Sequence, residues 1–121
     1  MQYVFLIYFD PKTVFNQSPE SNAMLAQVGP YNDQLRSNGH MVMSQALTLP
    51  SEAITVRVRD GKMSATDGPF AETKEVLGGL ILIEARDLDD AVRIAAGDPF
   101  AKFGSVEVRP VVDFSKPRPK L

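Results

Sequence analysis

Gln2-Tyr3-Val4-Phe5-Leu6-Ile7-Tyr8-Phe9 is the stretch on which the fold turns. It is an apolar run of strand length, rich in aromatic and β-branched residues, and side chains alternate faces along a strand. Tyr3, Phe5, Ile7 and Phe9 therefore line one face, and Val4, Leu6 and Tyr8 the other. Both faces are apolar, so this strand needs a layer on each side. Asp10-Pro11 ends it, because proline cannot donate to a ladder. The run has no basic residues ahead of it and is too short to span a bilayer. It reads as a strand, not as a leader or a membrane span.

Beyond this strand, Ser18-Pro19 has the form of an N-cap followed by proline at the first helical position. The spacing of Met24, Val28, Tyr31 and Leu35 predicts a helix over about residues 19–38, stopped by Gly39 and kinked or broken at Pro30. Residues 41–47 read as a second strand. Ile54-Thr55-Val56-Arg57-Val58-Arg59 alternates cleanly into Asp60-Gly61, a strong type I′ turn, and residues 62–66 return. A two-residue turn sets the register: Arg59 faces Lys62, Val58 faces Met63, Arg57 faces Ser64 and Val56 faces Ala65. Asp67 then falls on the face of Met63 and Ala65, which is expected to point inward.

Residues 67–78 form a long connection without periodicity, a length often associated with function. Leu80-Ile81-Leu82-Ile83 reads as a central strand. Asp87 caps a second helix with Leu88, Ala91, Val92 and Ala95 as its stripe and Gly97 as its stop. A last strand covers residues 105–112. The order is the α+β, ferredoxin-like βαββαβ pattern with an inserted β-hairpin, one domain over residues 1–113, followed by a short basic tail at 114–121. Two helices cover one face of such a sheet. The apolar second face predicts a homodimer, sheet packed on sheet about a two-fold axis.

Composition narrows the chemistry. The 121 residues carry a net charge of −2, with 44% hydrophobic and 23% charged residues. That balance offers no clustered cations for nucleic acid or for an anionic membrane. Cysteine is absent, which removes disulfides, thiolate metal sites and cysteine nucleophiles, and fits a cytoplasmic location. The single histidine, His40, has no carboxylates at ligand spacing, so neither a metal nor another cofactor is expected.

Asp67-Gly68-Pro69-Phe70-Ala71-Glu72-Thr73-Lys74-Glu75 resembles the signature of the DGPF-type branch of the YCII-related family. The likeness extends through Tyr3-Val4-Phe5-Leu6-Ile7-Tyr8, the hairpin from Thr55 to Gly61, Gly78-Gly79-Leu80, Asp98-Pro99-Phe100 and Val106-Glu107-Val108-Arg109-Pro110. The resemblance implies a dimeric α/β-barrel with a cleft, in a family whose activities are mostly unassigned. Some of its members resemble small-molecule enzymes that use a His–Asp pair, the histidine lying on the first helix. Here Val28 lies about where that histidine is sought, and His40 follows the helix stop.

Each candidate residue has two readings. Asp67, on an inward face, would be a desolvated acid or base, or an Asx cap on its turn. His40 could assist as a base, or simply begin a strand. Glu72 and Lys74 are either a lid meeting a polar ligand or a solvated loop. Asp98 borders the cleft or holds a post-helix turn whose Phe100 plugs the core. The hydroxyls of Tyr8 and Tyr31 point into a cavity or serve packing alone. Two functions follow: a small-molecule enzyme with Asp67 as acid or base, aided by His40 or Asp98, or a non-catalytic ligand-binding or regulatory dimer. The resemblance ties the second to control by extracytoplasmic-function sigma factors.

Overall fold

The structure, a computed structural model, describes residues 1–117. In β1 (Gln2–Phe9) the side chains of Tyr3, Phe5, Ile7 and Phe9 are buried and those of Val4, Leu6 and Tyr8 half-buried, as their alternation requires. β5 (Val76–Glu84) and β6 (Gly104–Pro110) flank β1, both antiparallel to it, and β2 (Met41–Ala46) pairs with the far edge of β5. The order β2-β5-β1-β6 is that of a ferredoxin-like βαββαβ sheet. Ile81 and Ile83 join the buried face of β1. Val14, Met24, Leu35, Ala91, Ile94 and Ala95 from helices, with Ala85 from the connection just after β5, complete that core. The opposite face presents Val4, Leu6, Tyr8, Leu80 and Leu82, half-buried.

The helices differ from expectation in four places, the last of them before β6. Asp10 caps an unforeseen single turn, α1 (Pro11–Val14), by accepting from the Lys12 N–H at 3.0 Å. The long helix is two helices, α2 (Pro19–Leu25) and α3 (Val28–Ser37), and the break precedes Pro30. Pro30 sits in the first turn of α3, where a missing N–H interrupts no ladder bond. In α4 (Leu88–Ala96) the buried residues are Asp90, Ala91, Ile94 and Ala95, whereas Leu88 and Val92 are 47% and 50% exposed. Asp90 tolerates burial because its carboxylate accepts from the Arg86 N–H at 3.0 Å and from the Arg93 guanidinium at 2.6 Å. A buried acid with that many donors is satisfied. The helix therefore rotates away from the stripe that apolar spacing alone predicts.

β3 (Ile54–Arg59) and β4 (Lys62–Asp67) keep the expected register about Asp60 and Gly61, whose φ angles of 53° and 74° are those of a type I′ turn. This pair forms its own two-stranded sheet. Ile54, Val56, Val58 and Met63 on its apolar face are therefore 60–68% exposed. Asp67 shares that face, as the register predicts, but it is exposed, not inward: among the described residues none covers that face of the hairpin.

β5 begins at Val76, so the connection after the hairpin is shorter than expected. Two glycines are sterically required. A Cβ on Gly78 would lie 2.0 Å from the Phe9 ring, and one on Gly104 would lie 2.1 Å from the Tyr8 carbonyl oxygen. α5 (Phe100–Phe103) is a further unforeseen turn before β6. Of the basic tail, residues 118–121 lie outside the described residues.

Candidate functional site

The end of α4 positions one acid unlike any other in the chain. Beyond Ala96 the backbone turns, the Asp98 N–H donates to the Ala95 carbonyl at 3.0 Å, and Pro99 opens α5. Asp98 Oδ1 accepts from the Phe100 N–H at 2.9 Å, which is the capping role that the sequence allows. Oδ2 is buried and has no hydrogen-bond partner among the described residues, and the residue is 3% exposed. Burial pushes the Asp98 carboxyl above the usual aspartate range, against a smaller opposing pull from the Phe100 N–H. A neutral carboxylic acid is the form such a site favours.

Asp98 lines a cavity of about 310 Å³ between the helices and the sheet. Val28 and Asn32 of α3, Phe9 of β1 and Ser44 and Gln45 of β2 form other parts of its wall. Val28 and Asn32 are four residues apart on one helix face, so the stripe through Val28 carried a signal for Asn32 that apolar spacing alone did not use. Nothing local in the sequence marks Ser44 and Gln45.

The remaining candidates lie elsewhere. His40 lines a separate cavity of about 220 Å³ with Tyr31, Gln34, Asn38 and Arg93. Its Nδ1 lies 2.9 Å from the Glu84 carbonyl oxygen, which can only accept, so Nδ1 carries a proton in that contact. The Tyr31 hydroxyl donates to the Ile94 carbonyl at 2.8 Å, and burial, then the charge of Asp98, pushes the phenol well above its ordinary value. Tyr8 and Glu72 line a third cavity, of about 860 Å³, on the other side of the sheet. Lys74 is exposed and lines none of the three. Asp67 lines none either, and the turn beside it is held by the Gly68 N–H donating to the Ala53 carbonyl at 2.7 Å, not by an Asx cap. Asp67, His40 and Asp98 thus do not share a cavity. Among the described residues no cluster of three or more His, Asp or Glu could hold a metal, and no helix is long and apolar enough to cross a membrane.

The family model of the YCII-related domain matches residues 1–115. The chain belongs to the YCII-related family. An uncharacterised protein of Rhizobium meliloti is 32% identical to it over 114 residues, 92% of either chain. Among solved structures, this YCII-related chain is similar to 5-chloro-2-hydroxyhydroquinone dehydrochlorinase from Burkholderia phenoliruptrix in complex with 2,5-dihydroxybenzoquinone. The TM-score is 0.55 and the identity 15%, over 95% of this chain and 97% of that one. At that identity the likeness is one of fold. Within the YCII-related fold, Val28 and Asp98 line one cavity, so an isopropyl group occupies the position where the resemblance led to a search for histidine.

Proposed function

We propose that this protein is a homodimer whose subunits each bind a small molecule beside Asp98, and that Asp98 acts there as a proton donor and acceptor. The observation that carries the reading is the unpartnered Oδ2 of a buried carboxyl at the wall of a cavity of ligand size. In its protonated form Oδ2–H donates to an oxygen of the ligand as negative charge grows on that oxygen, and the resulting carboxylate recovers the proton afterwards. Asn32, Ser44 and Gln45 supply hydrogen bonds that orient a hydroxylated or carbonyl-bearing ligand, and the Phe9 ring supplies an apolar wall. The dimer is supported by the half-buried row of Val4, Leu6, Leu80 and Leu82, which no helix among the described residues covers.

The test is direct. ¹³C NMR of the Asp98 carboxyl is expected to titrate above the ordinary aspartate range, and titration within that range would sink the proposal. Saturation-transfer NMR at fixed pH with 2,5-dihydroxybenzoquinone, the compound held by the dehydrochlorinase, is expected to lose signal in Asp98→Ala and keep it in Asp98→Asn, whose amide still donates.

A second reading, binding without catalysis, is favoured by Val28: no imidazole shares the cavity with Asp98. Turnover of a bound ligand that disappears in Asp98→Asn while binding persists separates the two.

A further inference from the structure

The largest of the three cavities described above is not the one that holds Asp98. It lies on the helix-free side of the sheet, where Tyr8 and Leu77 pair across β1 and β5 at the end of the apolar row. The segment 47–51 forms one wall and the loop 68–73 the other, enclosing about 860 Å³.

The loop is anchored at its ends and free between them. The Gly68 N–H donates to the Ala53 carbonyl at 2.7 Å and the Thr55 hydroxyl donates to the Gly68 carbonyl at 2.9 Å. At the far end Ser105 Oγ donates to Glu75 Oε1 at 2.9 Å, and the Thr73 hydroxyl donates to the Glu75 carbonyl. Among the described residues, positions 69–74 make no backbone hydrogen bond, which is the signature of a segment that opens at little cost. Its aromatic residue, Phe70, lines the cavity yet is 80% exposed, with the Arg57 guanidinium 5.7 Å from the ring centroid. A phenyl ring in that position gains from any apolar surface that enters beneath it.

The charge of the lining narrows the occupant. Leu47, Leu49, Pro50, Val76 and Leu77 make the wall mainly apolar, and Glu72 is its one charged side chain. Arg57 reaches Phe70 from the hairpin and Lys74 flanks the loop, but neither lines the cavity. An anion entering here would meet Glu72, with no cationic side chain in the wall itself. A hydrogen-bond donor would meet a carboxylate acceptor.

We propose that this cavity is a second ligand site, separate from that of Asp98. It takes a neutral or cationic, flat, apolar molecule of two or three rings bearing an N–H or O–H donor for Glu72, with the Phe70 loop as its lid.

Two fluorescent probes that differ by one sulfonate test this on the full chain. N-phenyl-1-naphthylamine is neutral and carries an N–H, and 8-anilino-1-naphthalenesulfonate adds a negative charge to the same frame. The neutral probe is expected to bind about tenfold more tightly than the anionic one, a difference that a single close charge can produce. Glu72→Gln is expected to bring the two within about twofold, and Phe70→Ala to weaken the neutral probe by about tenfold through loss of one ring contact. Both side chains are exposed, so neither change threatens the fold. Asp98→Ala is expected to leave the neutral probe unaffected, and loss of its binding in that variant would overturn the assignment to a separate site. Equal affinities of the two probes would overturn the proposal. So would loss of binding in Val58→Thr in place of Phe70→Ala, because the probe would then sit on the exposed hairpin face. Binding seen only in a variant made monomeric at Leu6 would mean that a partner subunit fills the cavity, and would overturn it too.

Discussion

Phe9 and Phe100 lie ring over ring, with 5.3 Å between centroids and 21° between planes. Phe15 meets the same Phe9 ring edge-on at 5.5 Å. The stacked pair joins the end of β1 to the first residue of α5, whose N–H holds Asp98 Oδ1. The acid of the cavity is thereby packed against the core of the sheet, and what disturbs one disturbs the other.

Phe9→Ala is expected to cost about 3–5 kcal/mol, the range for a buried phenyl ring. A double-mutant cycle with Phe100→Ala is expected to return a coupling of about 1 kcal/mol. Urea unfolding of the four proteins measures both. Strict additivity would mean that the stack contributes nothing beyond area.

The raised Asp98 carboxyl makes stability depend on pH in a defined direction. The folded state holds this proton at pH values where the unfolded chain has released it. Its contribution is thus complete below the ordinary aspartate value and is lost as pH rises through the raised one. Asp98→Asn is expected to flatten that decline in urea midpoints measured across the interval, and an unchanged slope would contradict the assignment.

Asp90 has the opposite sign. The Arg86 backbone N–H first, and then the Arg93 side chain, hold its carboxylate well below the usual range. Its contribution is present above the ordinary aspartate value and is lost as pH falls through the lowered one. In Asp90→Asn the acid limb of the stability profile is expected to be shallower, read by thermal unfolding below neutral pH.

Glycine substitutions should rank by what a Cβ would meet. Gly104→Ala collides with the backbone of Tyr8 and is expected to cost most. Gly78→Ala meets the Phe9 ring, which can shift, for about 1–3 kcal/mol. Gly29→Ala, in α3 with nothing within 4 Å, is expected to be neutral or stabilising by up to about 1 kcal/mol. Differential scanning calorimetry tests the order, and an equal effect at all three positions would refute the steric account.

A charge at Leu6, on the helix-free face, is expected to split the proposed dimer, whereas the same change at Leu88, exposed on α4, is not. Sedimentation of Leu6→Arg and Leu88→Arg at one concentration distinguishes them. An unchanged mass for Leu6→Arg would exclude that face as the interface.

Much of the fold was legible locally. The alternation in Gln2–Phe9, the register set by Asp60-Gly61 and the caps at Ser18 and Asp87 depend on residues only a few positions apart. Apolar spacing misjudged α4, because a buried acid counts as polar until its donors, Arg86 and Arg93, are seen in place. It also placed Asp67 inward, because period two assigns a side chain to a face without saying whether anything covers that face.

By itself, then, the sequence determined which faces the strands possess, the hairpin's pairing, the ferredoxin-like order of elements and the likeness to the YCII-related family. Only the tertiary structure decided that Asp98 is a buried acid with an unpartnered oxygen, that Val28 and Asn32 line its cavity, and that His40, Asp67 and Glu72 lie apart from it. The physical reason is range. Strand faces, turns and caps follow from neighbours along the chain. A cavity exists where α2, α3, the start of α5 and the sheet fail to close on one another, and no short stretch of sequence carries the shape of that gap.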